Sequence, residues 1–163
     1  VMRALDGVQD IQLDVKVLVG PRFLESEPGL QAHPHTTHRY EFVMNPHHVE
    51  QVMGWADLGV IACGSTSWEC FASRLPVIVF PIFENQMRAA QEIRRGTLGI
   101  VLPALDVLTE AELTAAIRTL LLNETERKRL SHAGQGAVDG QGAIRVSQIL
   151  RAEVQQAVGY ATR

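Results

Sequence analysis

Sequence features typical of membrane-spanning and disulfide-stabilised proteins are missing from this chain. Only 2 of its 163 residues are cysteines, Cys63 and Cys70. One ends a predicted strand and the other lies in the next predicted helix, which favours reduced, buried thiols over a disulfide. No apolar run reaches the about 20 residues that cross a bilayer, and no signal peptide opens the chain. We therefore expect a cytoplasmic protein with no membrane span.

Basic surface and metal-ligand patterns are also absent. The net charge of −3 argues against nucleic acid as a partner. The 6 histidines include no pair spaced i, i+4 and no Cys/His ligand set, so we predict no metal. His33, His35 and His38 fall in a predicted loop, whereas His47 and His48 are adjacent on a predicted helix and diverge. The glycine-rich dinucleotide motif, the P-loop and the nucleophile-elbow motif do not occur, and no cofactor is expected.

Strands and helices alternate along the sequence. Apolar and β-branched runs predict strands at 14–19, 39–44, 58–63, 76–80 and 99–102. Helical patterns lie at 1–8, 47–55, 66–74, 85–96, from Thr109 onward, at 123–133 and at 142–158, with at most a weak helix at 29–32. This order predicts an α/β fold, a Rossmann-like parallel sheet with helices on both faces. Ligands in such folds bind beyond the carboxyl ends of the strands, where Gly20, Asn45, Gly64 and Phe83 fall.

The most informative segment runs from Gly59 to Gln86. Its predicted strand leads into the sequence Gly-Ser-Thr-Ser, which opens a helix. The first N–H groups of a helix have no intrahelical partner and lie at the positive end of the helix dipole. Gly64, Ser65 and Thr66 are therefore a candidate phosphate site. A plain turn followed by a helix N-cap would account for the same residues, and this alternative stays open.

Polar side chains near this segment have two interpretations each. Glu69, predicted in the first turn of the helix, either complements the dipole or accepts hydrogen bonds from two ribose hydroxyls. Asn85 and Gln86 follow the next strand and either cap a helix or contact a sugar. Trp55 is expected in the core, and Arg145 faces either phosphate or solvent. Together these residues indicate a phosphorylated, polyol-like ligand.

A strand, the GSTSWE helix, a strand ending in proline and the ENQ turn together resemble the C-terminal half of GT-B-fold nucleotide-sugar enzymes. The pattern is most similar to the UDP-sugar hydrolases of pseudaminic acid biosynthesis and to spore-coat polysaccharide biosynthesis proteins. The ending VDGQGAIRVSQIL at 138–150 resembles the same group, and the similarity covers residues 13–150. A more distant similarity is to the glycosyltransferase that adds N-acetylglucosamine to lipid I.

On the phosphate side, the resemblance implies a role for four residues. Gly64, Ser65 and Thr66 match the family's diphosphate-binding loop at a helix N-terminus. Glu69 matches the acid that holds the ribose hydroxyls. Backbone donors that neutralise the diphosphate make a metal ion unnecessary, so we predict none.

On the base and sugar sides, five further residues are implied. Val43, Met44 and Asn45 match the segment that binds uracil through its backbone and an apolar side chain. Asn85 and Gln86 match the pair that contacts the sugar. The ligand implied is a UDP-sugar.

The departure from the family concerns catalysis. The catalytic histidine of the family lies on an N-terminal domain, and that domain and the first strand of the nucleotide domain are expected outside this sequence. We expect one nucleotide-sugar-binding domain over 1–163, with the catalytic residue unknown and the chain inactive alone. The leading hypothesis is the UDP-binding domain of a UDP-sugar hydrolase that releases a free amino-deoxy sugar. The alternatives are half of a GT-B glycosyltransferase and a non-catalytic nucleotide-sugar-binding module.

Overall fold

The computed structural model describes residues 1–21 and 37–161, with side chains as far as residue 155. Its helices are α1 (Met2–Asp6), α2 (Val49–Trp55), α3 (Ser65–Ala72), α4 (Met87–Arg95), α5 (Glu110–Leu122), α6 (Glu124–Ala137) and α7 (Gly142–Ala161). Its strands are β1 (Asp14–Val19), β2 (Arg39–Met44), β3 (Gly59–Ala62), β4 (Val77–Phe80) and β5 (Ile100–Val101). A short 3₁₀ turn, Glu84–Gln86, precedes α4. None of the described helices is both long and apolar enough to cross a membrane.

Local sequence signals set most of these boundaries. The first two strands occupy the predicted residues, 14–19 and 39–44. Helix α5 begins as predicted, because Thr109 Oγ1 accepts the Glu112 N–H at 3.2 Å and the Glu112 carboxylate accepts the Thr109 N–H at 2.9 Å. Helix α2 begins only at Val49, so His47 and His48 precede the helix and do not lie on it as predicted.

The strands form two parallel sheets. Strands β1 and β2 pair along their whole length, with Asp14 opposite Arg39 and Val19 opposite Met44. The second sheet has the order β3-β4-β5 and is also parallel. Helices cover these strands, which confirms the predicted α/β class with parallel strands and flanking helices. The sequence did not predict that the strands divide into two ladders.

Two clusters of buried apolar side chains lie on opposite faces of β4. Val77 and Val79 belong to a cluster with α3 and α4, whereas Ile78 belongs to a cluster with α1 and α5. All three side chains are fully buried, which confirms the prediction of a strand covered on both faces. Cys63 and Cys70 are free thiols within the first cluster, also as predicted.

The burial of two side chains was not predicted. His38 lies in a bend just before β2, in a loop as predicted, but it is 7% exposed. Its Nδ1 accepts the Leu13 N–H at 3.3 Å, so its Nε2 donates to the Leu5 carbonyl at 2.8 Å. Trp55, predicted in the core, is 48% exposed at the end of α2, with the Lys16 ammonium 4.7 Å from its ring centroid. The weak helix predicted at 29–32 lies outside the described residues, as do His33 and His35.

Thr97 gives a first prediction, because it holds the left-handed conformation that ends α4, with φ of 50°. Gly96, the last residue of the helix predicted at 85–96, is itself helical at φ −79°. A β-branched residue is strained in the left-handed region, so Thr97→Gly should raise the free energy of unfolding by about 1 kcal/mol. Urea denaturation measures the change. The control Arg95→Gly, within the helix, should lower the same quantity, and a destabilised Thr97→Gly would contradict the prediction.

Candidate functional site

Loops at the carboxyl ends of parallel strands form the candidate site. Gly20 and Asn45 follow β1 and β2, and Gly64 and Phe83 follow β3 and β4, as predicted. Since the strands within each sheet are parallel, the two loops of each sheet lie at the same edge. Asn45 adopts φ of 47°, a left-handed conformation that asparagine tolerates better than most residues.

The mouth of α3, formed by Gly64, Ser65 and Thr66, is the centre of the site. Ser65 and Thr66 are exposed, and their N–H groups lie in the first turn, where no intrahelical carbonyl can accept them. The Gly64 N–H donates to Ser67 Oγ at 3.4 Å, so it is already engaged. Two of the three expected backbone donors therefore remain for a ligand.

Ser67 is a residue whose role the sequence analysis missed. Its side chain is fully buried, and its own N–H donates to the Gly64 carbonyl at 3.1 Å. These two bonds between Ser67 and Gly64 hold the loop in the shape that opens α3. Gly64 has no side chain to complete a capping box, so only the return bond from the third helical residue to the N-cap N–H is formed.

Gln86 lies against the mouth of α3. Its Oε1 accepts the Ile82 N–H at 2.7 Å, which leaves its Nε2 as the group available for a ligand. This Nε2 is 3.9 Å from the position that a Cβ on Gly64 would occupy. The structure thus brings Gln86 beside the predicted diphosphate loop as an N–H donor. Asn85 is exposed in the preceding 3₁₀ turn.

Glu69 lies further along α3 than predicted. Because the helix begins at Ser65, Glu69 is its fifth residue and no acid occupies the first turn. Its interpretation as a first-turn residue complementing the dipole is therefore wrong. The side chain is exposed, and no described residue forms a hydrogen bond or ion pair with its carboxylate. A ribose would have to extend over one turn of α3 to reach it.

The predicted uracil segment ends β2. Val43 is half-buried and pairs with Leu18, whereas Met44 is 43% exposed at the strand end. The Asn45 N–H donates to the Val19 carbonyl at 2.8 Å. That donor is therefore engaged in the sheet, and the carbonyl groups and the Met44 side chain are what the segment can offer to a base.

Arg145 is exposed, which agrees with the solvent-facing alternative, and its guanidinium bonds to the Asp139 carboxylate. The guanidinium donates through Nη1 at 2.6 Å and Nη2 at 3.0 Å. These hydrogen bonds, with a further one from the Gln141 N–H, lower the pKa of Asp139 from 3.8 to about 2. These bonds from Arg145 therefore hold the loop at Asp139 against the first turn of α7.

A second prediction follows for this pair: Arg145→Gln should raise the pKa of Asp139 towards its ordinary value. Because the folded pKa is depressed, the pair contributes stability above the unfolded pKa, about 3.9. This contribution is lost as the pH falls towards about 2. An NMR titration of the Asp139 carboxyl carbon measures the shift. Arg151→Gln, an exposed arginine on the same helix, should leave it unchanged, and an unshifted Arg145→Gln would refute the assignment.

A metal site is not part of this geometry. Across residues 1–21 and 37–161, no three His, Cys, Asp or Glu side chains are grouped so that they could hold a metal ion. The available groups at the mouth of α3 are N–H donors and hydroxyls, which suit an anion.

Known proteins share this fold. The family profile described as the glycosyltransferase family 28 C-terminal domain matches residues 3–143. Among solved structures, the glycotransferase of kitacinnamycin is 18% identical, with a TM-score of 0.63 over 85% of this chain. The spinosyn rhamnosyltransferase SpnG is 19% identical, with a TM-score of 0.62 over 90% of the chain. The calicheamicin glycosyltransferase CalG4 is 17% identical, with a TM-score of 0.58 over 90%.

These structures are longer than the present chain. It spans 34% of the kitacinnamycin protein, 39% of SpnG and 44% of CalG4. At such identities the likeness concerns the fold alone. No curated protein sequence matches the chain.

Proposed function

We propose that this chain binds a UDP-sugar, the donor of a sugar-transfer reaction. The chain belongs to the glycosyltransferase family 28 C-terminal domain family. The observation that carries this proposal is the mouth of α3. The N–H groups of Ser65 and Thr66 have no intrahelical acceptor there, and Gln86 Nε2 lies 3.9 Å from the Cβ position of Gly64. Such a cluster of donors at a helix N-terminus suits a diphosphate. The cytoplasmic location stays a prediction.

The mechanism of the whole protein follows from the charge on the leaving group. When an acceptor hydroxyl attacks the sugar, the bond to the diphosphate breaks and negative charge builds on its oxygens. Fixed donors at Ser65, Thr66 and Gln86 would stabilise that charge as it develops. The base that takes the acceptor proton, and the acceptor site, are proposed to lie on an N-terminal domain, so the 163-residue chain should bind without turnover.

The remaining site assignments are proposals of the same kind. Glu69 would hold the ribose hydroxyls, and Asn85 would contact the sugar, with Gln86 shifted from the sugar towards the diphosphate by its bond to Ile82. The uracil would lie at the end of β2, against Val43, Met44 and Asn45.

A UDP-sugar hydrolase, the main hypothesis from sequence, receives no support from the family match or from the structural relatives. The glycosyltransferase alternative accords better with both. Incubating the full-length protein with UDP-sugar tests the choice, because a hydrolase releases free sugar without any acceptor. Pseudaminic acid biosynthesis is likewise unsupported.

Calorimetric titration of UDP into the chain tests the binding proposal. We expect saturable heat with UDP and much weaker binding of uridine, because the diphosphate supplies the charge that the donors neutralise. No heat with either ligand would reject the proposal. Fluorescence of Trp68, which is 37% exposed on α3, gives an independent signal.

Glu69→Gln provides the third prediction, directed at the ribose. Hydrogen bonds to a carboxylate are stronger than those to an amide, so the affinity for UDP should fall by about tenfold. Binding of 2′-deoxy-UDP should change far less, because one hydroxyl is already gone. Glu92→Gln, an exposed acid on α4, is the matched control. Equal losses for the ribose and deoxyribose ligands would refute the ribose role of Glu69.

A further inference from the structure

An exposed tryptophan lies beside the mouth of α3. Trp68 is 37% exposed, although its side chain is among the largest apolar groups in proteins. It is the fourth residue after Gly64 and the third after Ser65, so all three lie on the same side of the helix. Helical side chains also lean towards the N-terminus of their helix. The indole of Trp68 therefore extends towards the mouth.

The core fixes the orientation of this indole. The Phe71 ring lies edge-on to Trp68, with 5.6 Å between the centroids and an angle of 74° between the planes. Phe71 itself is 1% exposed and lies against Gly134 of α6. Such T-shaped pairs are a favoured arrangement of aromatic rings. Trp68 is therefore a held, partly exposed ring and not a freely rotating surface side chain.

Trp68 and Glu69 lie on different flanks of α3. Ser73, one turn after Glu69, donates its hydroxyl to Met53 Sδ of α2 at 3.8 Å, so Glu69 lies on the flank that faces α2. Consecutive helical residues are about 100° apart, which places Trp68 about 140° around the helix from Ser73. The neighbour of Trp68 on that side, Phe71, packs against α6. Trp68 therefore lies on the flank that faces α6.

Gln86 lies on the α6 side of the mouth as well. Helix α6 packs on α3 and also reaches α4, because the Arg129 guanidinium donates to the Thr97 carbonyl just after α4 at 3.3 Å. Gln86 directly precedes α4, and its Nε2 lies 3.9 Å from the Cβ position of Gly64. Trp68 and Gln86 therefore border the same side of the mouth.

The two ends of a UDP-sugar differ in which flank they would approach. In the function proposed above, the ribose extends to Glu69 and the uracil to the end of β2, which α2 follows along the chain. The nucleoside end of the ligand then lies on the α2 flank. The hexose, attached at the other end of the diphosphate, extends to the α6 flank, where Trp68 lies.

We propose that Trp68 is a binding residue for the hexose of the UDP-sugar, an inference that rests on the function proposed above. A pyranose ring with equatorial hydroxyl groups presents C–H groups on its faces. These C–H groups carry a small positive charge, whereas the face of an aromatic ring is negative, so the two surfaces attract and exclude water between them. The favoured ligands are hexoses with such a C–H face, including glucose and N-acetylglucosamine.

Calorimetric titration with UDP and with UDP-N-acetylglucosamine tests this role. Trp68→Leu keeps an apolar side chain for packing but removes the ring, so the affinity for UDP-N-acetylglucosamine should fall by about fivefold. The affinity for UDP, which has no hexose, should stay unchanged. Trp68→Phe keeps an aromatic face and should retain most of the affinity for UDP-N-acetylglucosamine. Trp55→Leu, at an exposed tryptophan at the end of α2, is the matched control and should bind both ligands as the unmodified chain does.

Three results would count against the inference, and they can be told apart. An equal loss for UDP and UDP-N-acetylglucosamine in Trp68→Leu would overturn it, because Trp68 would then only support the shape of the mouth. Unchanged affinities for both ligands would overturn it as well. If the unmodified chain bound no UDP, the proposed function would be rejected together with this inference, whereas the first two results reject the inference alone.

Tryptophan emission gives a readout that a purely structural role would not move. The sequence has two tryptophans, so Trp68 is the only one left in the Trp55→Leu protein. UDP-N-acetylglucosamine should shift the Trp68 emission maximum to shorter wavelength further than UDP does, because the hexose replaces water at the ring. Equal shifts with the two ligands would overturn the contact between Trp68 and the hexose.

Discussion

Replacing Phe71 with alanine should lower the free energy of unfolding by about 3–5 kcal/mol, the largest stability effect expected in this chain. Phe71 is 1% exposed, and its ring meets Trp68 edge-on at 5.6 Å between centroids. A Cβ added at Gly134 of α6 would come within 3.0 Å of Phe71 Cδ1. The ring therefore fills the space between α3 and α6 so closely that its removal leaves a cavity.

Urea denaturation followed by circular dichroism measures this loss. Phe83→Ala is the matched control, because Phe83 is 67% exposed and its truncation should change the free energy of unfolding by less than about 0.5 kcal/mol. Similar losses for the two variants would mean that Phe71 does not join α3 to the core. Because α3 carries the mouth residues, surviving Phe71→Ala protein should also bind UDP more weakly.

Gly64→Asp should have the largest effect on ligand binding, with a loss of affinity for UDP of about 100-fold or more. A Cβ at this position would meet only Gln86 Nε2, at an ordinary contact distance of 3.9 Å. The backbone is extended at φ −160°, which any residue adopts. An aspartate carboxylate would occupy the mouth of α3 and repel the diphosphate.

Folding should survive this substitution, which makes the test informative. Gly64 is the N-cap of α3, and aspartate is among the preferred N-cap residues, so the melting temperature should hold or rise. Gly64→Asn has nearly the same shape without the charge and should lose less affinity. Raised salt should narrow the difference between the two variants, because repulsion is screened. An unchanged UDP affinity in Gly64→Asp would refute the proposal that the diphosphate binds at the mouth of α3.

Much of the fold could be predicted from sequence because its signals are local. β-branched runs placed β1 and β2, and the Thr109 and Glu112 capping pair placed the start of α5. The division into two sheets could not be predicted in this way. It depends on which strand edges meet, and edge pairing leaves no signature in a single strand.

The site shows a similar limit. The sequence indicated Gly64, Ser65 and Thr66 as a loop at a helix start, and the structure places them there. The sequence could not show that Gln86 Oε1 accepts the Ile82 N–H, because that hydrogen bond depends on the conformation of the turn between the two residues. Trp55 was wrongly predicted in the core for a related reason. Helical spacing shows which residues share a helix face, but not whether another element packs against that face.

Cys63 directly precedes Gly64 and Cys70 lies in α3, and both thiols are buried. Their chemical modification can therefore report how often this part of the structure opens. Burial raises the pKa of both, that of Cys70 to about 11, so the reactive thiolate is scarce at neutral pH. Alkylating reagents should therefore modify Cys63 and Cys70 only in molecules whose interior has become accessible. Because the sequence has no other cysteine, the rate at which Cys63 and Cys70 are alkylated would measure how often the region next to Gly64 opens.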